Sequence, residues 1–528
     1  MRKKALMILL LALFCAPQKT FAQKEPAYGG TLVIGTRMKP EPLHPFLTRH
    51  SVSVFLNELI FSPLVRMGEA YEFSPELALS WDISDNKKIH TFHLRKDAFF
   101  HDGEKVTADD VIFTYDYFLR HKDSNNYYHE FTAKIEKLEK VDDYTVSFYL
   151  YEPDGFLQEF SDIVILPEHL LAEGRLTDRE FGDNPVGSGP FVFKERSPNG
   201  EVVLGANINY YSGRPYLDYI ETRLFEDNEA IWSAMLRQKI DLALFLKPED
   251  YKILKEDSTY KAYSFPAAYY YAALYNYNDP DYSNDDIRKA VALAVDIDAL
   301  IKIGLEGSGD ASTGPFSDLL LGRDTSDLLL EYCPQKSRQI LDDLGWCQID
   351  KDGVRHKDGR PLELRLLVNN TQKTDLRVAF FLRQQLSRIG IKTRLLRFDD
   401  FSEIEEKYNS DRYPQAWLNV LYGGLDIRDV YTSWCGPKMI EKDFFKFYSD
   451  YHSELQDEFV QLNDEIKIQN SFSGMFALQK KLYNDSAVLF LAYPYMFCAV
   501  SSCFANTDEF FNVYFPFDTI KNWYLSKK

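Results

Sequence analysis

Apolar and polar positions along the chain switch between two periods, and each switch marks an element. Phe92 and Leu94 alternate with Thr91, His93 and Arg95, which predicts a half-buried strand. His101-Asp102-Gly103 supplies a turn, where glycine takes a left-handed conformation without steric cost. Thr107 then reads as an N-cap with Asp110 three residues on, and Val111, Tyr115, Phe118 and Leu119 recur at helical spacing. The same alternation continues along the chain. Gly29-Gly30 precedes a strand at Thr31–Gly35, an Asp142-Asp143 turn precedes a strand running through Phe148, and a helix from Asn228 leads into Gln238–Ala243. Asn284 caps a helical run reaching Ile301, in which Ile287, Val291, Ala294, Val295 and Ile301 form one apolar stripe. Gln335–Gly345 predicts a short helix with a glycine stop, and Asp358-Gly359 a hairpin turn before the strand Pro361–Val368. Leu376–Ile389 predicts a helix closed by Gly390, Thr393–Phe398 a strand, and the uncharged run Ala487–Tyr493 a buried strand. Strands and helices in this rhythm argue for a mixed α/β protein.

A length of 528 residues gives room for about three to four domain-sized units with large cores. At the N-terminus Arg2, Lys3 and Lys4 precede an apolar run from Ala5 to Ala16, and Thr20-Phe21-Ala22 places small residues around a cut before Gln23. These features predict a secretory signal cleaved after Ala22 and an extracytoplasmic, periplasmic-type destination. The run is shorter than the roughly 20 apolar residues that span a bilayer. Cys15 raises lipoprotein anchoring, but Phe14 occupies a position that usually holds a small residue. The formal charge is −19, and removal of residues 1–22 takes away four cations and no acid. Such a surface repels nucleic acid and argues against it as a partner. Five cysteines remain after cleavage; Cys333 with Cys347 and Cys498 with Cys503 are close enough in sequence to pair in an oxidising compartment, an odd count forbids complete pairing, and the cysteines read as structural or unpaired.

No nucleophile elbow, zincin helix, phosphate loop or dinucleotide fingerprint is present, so neither catalysis nor a cofactor is expected. His90 and His93 fall on opposite faces of their strand and cannot easily share an ion. Asp350, Asp352 and Asp358 lack calcium-loop spacing and read as turn residues. No metal site is expected.

Three motifs carry a more specific message. LALSWDIS at 77–84, TFHLRKDAFFHDG at 91–103 and KVTADDV at 105–111 together resemble the signature of the family 5 extracytoplasmic solute-binding proteins, the peptide, dipeptide, oligopeptide and nickel receptors of ABC importers. Pro185–Pro190 and the helix after Asn284 are similar to further motifs of that family, with Ser188 and Ile287 as departures. The resemblance implies an α/β two-lobe periplasmic-binding-protein fold, of the large type II class with an inserted subdomain and two hinge crossings. In these terms residues 23–70, 186–271 and 495–528 form lobe I, 71–185 the inserted subdomain and 272–494 lobe II. The implied function is capture of a short peptide between the lobes by a monomer, for delivery to a membrane permease driven by its ATPase. A non-peptide solute such as a metal chelate, haem, an oligosaccharide or an amphiphile is the alternative. A regulatory role beside a DNA-binding module is remote, since the N-terminus carries a signal and no basic module.

The resemblance also places a cleft-facing strand and loop at Trp417–Tyr431. Peptide-binding members often carry an aspartate shortly after the tryptophan, which pairs with the ligand's ammonium group; here that position is Val420. Asp426 and Asp429 are the next carboxylates and the candidate anchors, unless Arg428 pairs with them or they cap a helix. Trp417, Tyr422 and Tyr431 are candidate aromatic contacts in a chain that is 15% aromatic. Tyr271 and Asn276 lie on the presumed outgoing crossing, Tyr493 and Tyr495 on the return, and Asn369 at a strand end facing the same region; core or hinge packing competes with ligand contact at each.

Overall fold

The computed structural model describes residues 26–526, apart from 49–50, 69–71, 121–131, 156, 173–174, 401, 409–412, 424–429, 431–433, 435–452, 470–472 and 509–516. The signal segment, Cys435, Asp426, Asp429 and Tyr431 therefore lie outside the described residues. Among these residues no helix is long and apolar enough to cross a membrane.

One strand organises the molecule. Leu489–Ser501 is 13 residues long, about 44 Å at strand rise. Its first part pairs antiparallel with Tyr269–Tyr275, and its last part with Tyr260–Pro266 and Leu242–Ala243. Between Pro266 and Tyr269 the neighbouring chain changes from one set of partners to the other. Two sheets thus meet through two crossings. On one side the order continues through Thr31–Thr36, Tyr219–Leu224, Val202–Ala206 and Phe191–Arg196; on the other it continues through Tyr269–Tyr275, Ala416–Tyr422, Glu363–Asn369 and Lys392–Phe398. This is an α/β two-lobe fold of the periplasmic-binding-protein kind.

Each lobe has its own core. Leu32, Ile34, Ile220, Leu242 and Val500 are buried together in the first, and Val291, Leu366, Leu382 and Leu491 in the second. A four-stranded antiparallel sheet of Ala78–Ile83, Ile89–Leu94, Thr145–Leu150 and Ile135–Asp142 packs Phe92 and Phe148 against Val111 and Phe118 of the helix Ala108–Arg120. Thr107 caps that helix in half a capping box: its N–H and hydroxyl both donate to Asp110 Oδ2, at 2.8 and 3.2 Å.

One expectation needs correction. The helical run after Asn284 is two helices, Asp285–Leu293 and Ile297–Gly304, because Asp296 ends the first stretch and caps the second by accepting the Ala299 N–H at 2.9 Å. No disulfide joins Cys333, Cys347, Cys498 or Cys503 to one another. Cys333 is the residue before the helix Pro334–Asp343 and Cys347 follows its closing turn. Cys498 is buried in the return strand opposite Tyr263, while Cys503 lies beyond that strand with its thiol on Ser501 Oγ.

The histidine of the sequence turn has a structural task. His101 Nδ1 accepts the Gly187 N–H at 3.3 Å, so the neutral ring donates from Nε2 to Gly189 O at 3.1 Å. Gly187 and Gly189 can carry no side chain, since a Cβ would lie 2.0 Å from Ile60 O or 2.6 Å from Leu59 O. The two motifs at 101–103 and 185–190 are thereby locked together. Burial pushes the His101 pKa down to about 4 from 6.5. A depressed histidine pKa means the unfolded chain binds the proton first, so this contribution is full above pH 6.5 and is lost as pH falls towards 4. At pH 5.5 the loss is about 1.4 kcal/mol. Urea unfolding at pH 7 and 5.5 will show a smaller pH dependence in His101→Gln than in the native chain.

Candidate functional site

Strand direction locates the site. The return strand enters the first lobe from the second, and Leu242 and Ala243 run antiparallel to it. Thr31–Thr36 and Tyr219–Leu224 are parallel to Leu242–Ala243, so all three direct their carboxyl ends at the second lobe. Tyr269–Tyr275 leaves the crossing, and Ala416–Tyr422 runs back against it. Glu363–Asn369 and Lys392–Phe398 are parallel to Ala416–Tyr422, so these ends face the first lobe. Carboxyl ends of strands facing one another across a crossing form the ligand crevice of open α/β sheets.

From the first lobe this arrangement presents the residues after Thr36 and after Ala243. Thr36 Oγ1 accepts the Met38 N–H at 3.0 Å in a tight turn that leaves Met38 41% exposed. Phe245 is 42% exposed and holds φ at 56°. A bulky residue in the left-handed region is strained. The chain is fixed just beyond it, where Leu246 N–H donates to Phe497 O at 2.9 Å on the return strand. From the second lobe come Asn369, Tyr422 and Gly423, whose N–H donates to Ala268 O at 3.1 Å beside the crossing.

Charges join the two rims. Glu229 pairs with Lys247, and the Lys247 hydrogen bond holds its carboxyl below the usual range, helped by Lys373 from the other lobe. Lys252 Nζ donates to Glu306 O at 3.4 Å, and Glu306 pairs with Arg377 at 2.8 Å. Away from these rim pairs, Arg66 lies 3.6 Å from Asp518, while Glu76 accepts the Tyr210 and Tyr211 hydroxyls at 2.8 and 2.6 Å.

The residues singled out in the sequence divide by strand direction. Tyr422 and Asn369 come together at the crevice end of the second sheet, where Asn369 Oδ1 accepts the Thr371 N–H and hydroxyl at 2.9 and 2.7 Å. Tyr493 is buried at the crossing with its hydroxyl on Gly314 O at 2.7 Å. Tyr495 donates to Asp310. Tyr271 is buried in the core of the second lobe and donates to Asp375 Oδ1 at 3.0 Å; burial pushes the Asp375 carboxyl up. Val420 pairs with Tyr271 and packs on that core. Trp417 and Asn276 lie at the opposite end of their strands. Trp417 is opposite Leu274 and packs with Leu367, Phe398 and Ile404. Asn276 donates to Pro414 O at 3.2 Å and accepts the Asn278 N–H at 3.0 Å. Phe245 and Met38 are rim residues that sequence reasoning missed; their position after strand ends was the available signal.

Among the described residues no group of three His, Cys, Asp or Glu side chains is placed to hold a metal. A crevice between two lobes, with two crossings behind it, defines a two-lobe solute-binding protein. Residues 72–440 match the bacterial extracellular solute-binding proteins, family 5, and the chain belongs to that family. It is 27% identical over 516 residues to the oligopeptide-binding protein AppA of Bacillus subtilis, covering 93% of this chain and 94% of AppA. The structure of the Bacillus AppA complex with a nonapeptide superposes with a TM-score of 0.67 at 24% identity, over 95% of this chain and 100% of that one. NikA from Brucella suis, in complex with Fe(III)-EDTA, superposes with a TM-score of 0.78 at 21% identity, over 94% and 100% of the two chains.

Proposed function

We propose that this chain captures short peptides in the crevice between its lobes and hands them to a membrane permease powered by a separate ATPase. The observation that carries the reading is the pair of opposed strand-end rims, joined by two crossings, in a chain similar along 93% of its length to an oligopeptide-binding protein. A ligand that touches both rims favours the closed state by the contacts it makes only there. The protein acts as a monomer, catalyses no reaction, and is released from its signal after Ala22 without a lipid anchor; intact mass of the secreted chain, starting at Gln23, checks the last point.

An extended peptide lies along the rims and is recognised more by its backbone than by its side chains, so length and direction count most. Phe245 and Met38 supply apolar contact from the first lobe. With Val420 packed on the second core, Asp426 or Asp429, the next carboxylates in the sequence, is the proposed anchor of the ligand ammonium. Asp426→Ala weakens binding of a free-amine peptide at least tenfold by calorimetry and leaves the melting temperature unchanged; an unchanged affinity removes Asp426 from the site. The apolar Val420 also favours a second reading, in which the same crevice takes a non-peptide solute such as a chelate.

A further inference from the structure

The chain is acidic overall, yet residues 373–398 carry seven lysines and arginines against the single acid Asp375. They form the helix Lys373–Ser387 and the strand Lys392–Phe398, which ends the sheet of the second lobe with no strand beyond it among the described residues. Between helix, strand and the turn at Asp352–Val354 runs an open groove of about 780 Å³. Its direction along the helix carries it away from the crevice, towards Ser387 and Gly390.

Three observations say what the groove fits. Asp352 is the one acid in the lining; Arg383 of the lining and Arg397, which stands outside it, both lie against the ring of Phe380, with guanidinium carbons 4.9 and 5.7 Å from its centroid. Neither Arg383 nor Arg397, nor Lys392 at the groove wall, has a carboxylate partner among the described residues. Two like charges on one ring repel, and an anion between them removes that cost. Second, the groove is not only charged: Phe380 is 39% and Ile303 56% exposed on its sides. Third, the free edge of Lys392–Phe398 offers main-chain donors and acceptors, and the buried Thr393 Oγ1 beside it has no hydrogen-bond partner.

We propose that this groove docks an acidic polypeptide segment of another protein, laid in extended form along the edge strand. Its carboxylates meet Arg383, Arg397 and Lys392, and one apolar side chain rests between Phe380 and Ile303. The free edge strand and the exposed apolar side chains on the groove's sides favour an extended polypeptide over a flat anionic lipid surface or a nucleic acid.

The test uses a fluorescein-labelled peptide of alternating Glu and Leu, blocked at both ends, and the full secreted chain. Anisotropy titration is expected to show binding that weakens with salt and at least tenfold in Arg383→Glu/Arg397→Glu, and severalfold in the milder Phe380→Ser. Replacing Glu by Gln in the probe is expected to abolish binding. Hydrogen exchange with the probe bound is expected to protect 392–398, which separates the groove from capture in the crevice. Equal affinity of the native and doubly reversed chains, or protection confined to the crevice rims, overturns the proposal. So does binding to phosphatidylglycerol vesicles without binding to the peptide. The substituted arginines are exposed, and unchanged far-ultraviolet dichroism and melting temperature establish that the variants fold.

Discussion

Arg288→Leu lowers the unfolding free energy by about 2–6 kcal/mol, measured by urea titration. The Arg288 side chain is fully buried at 0% exposure, a rare position for a cation. Its Nε donates to Ser486 O at 3.0 Å and its Nη1 to Tyr282 O at 2.9 Å, while Nη2 pairs with Asp285. The guanidinium also lies 4.5 Å from the centre of the Tyr277 ring, whose hydroxyl donates to Ala487 O at 2.6 Å. One side chain therefore ties the loop after the outgoing strand, the helix Asp285–Leu293 and the turn that launches the return strand. Leucine fills similar volume but leaves two buried carbonyls without donors, each worth about 1–3 kcal/mol. Arg288→Lys keeps the charge without the fork and falls between the two. A loss below about 1 kcal/mol would show that the return strand is held in place without this clamp.

Phe245→Gly separates folding from binding. Glycine adopts a φ of 56° without the roughly 1 kcal/mol penalty that a side chain incurs there, and part of that gain is offset by the freedom glycine adds to the unfolded chain. The variant is thus expected to melt at or above the native temperature. Loss of the ring removes an apolar contact of about 2 kcal/mol, roughly thirtyfold in affinity for a peptide with an apolar side chain. Phe245→Ala keeps the strain and loses the ring, so it weakens binding as glycine does without glycine's gain in melting temperature. If Phe245 were only a packing residue, glycine would lower the melting temperature and leave affinity alone.

Much of the scaffold was legible because its signals are local. The Phe92/Leu94 alternation, the Thr107–Asp110 cap and the glycine stop at Gly390 each depend on a few neighbouring residues, and each element formed where its pattern lies. The run after Asn284 misled because its apolar stripe continues across Asp296 in register, while the aspartate's capping bond breaks the helix. Site residues were harder for a different reason. Trp417 and Tyr422 share one strand, and only the direction of that strand relative to the crossing decides which end meets the other lobe. Pairing partners far apart in sequence set that direction. Phe245 offered only its place after a strand end, since phenylalanine gives no sign of a left-handed backbone, and Arg288 was silent because a cation inside an apolar stripe ordinarily points to solvent.

Peptide capture between the lobes is tested most directly by isolating the secreted protein from its native host, denaturing it and identifying the released molecules by mass spectrometry. A population of short peptides, close to one per receptor, is the predicted result. A single non-peptide solute at that stoichiometry would contradict it.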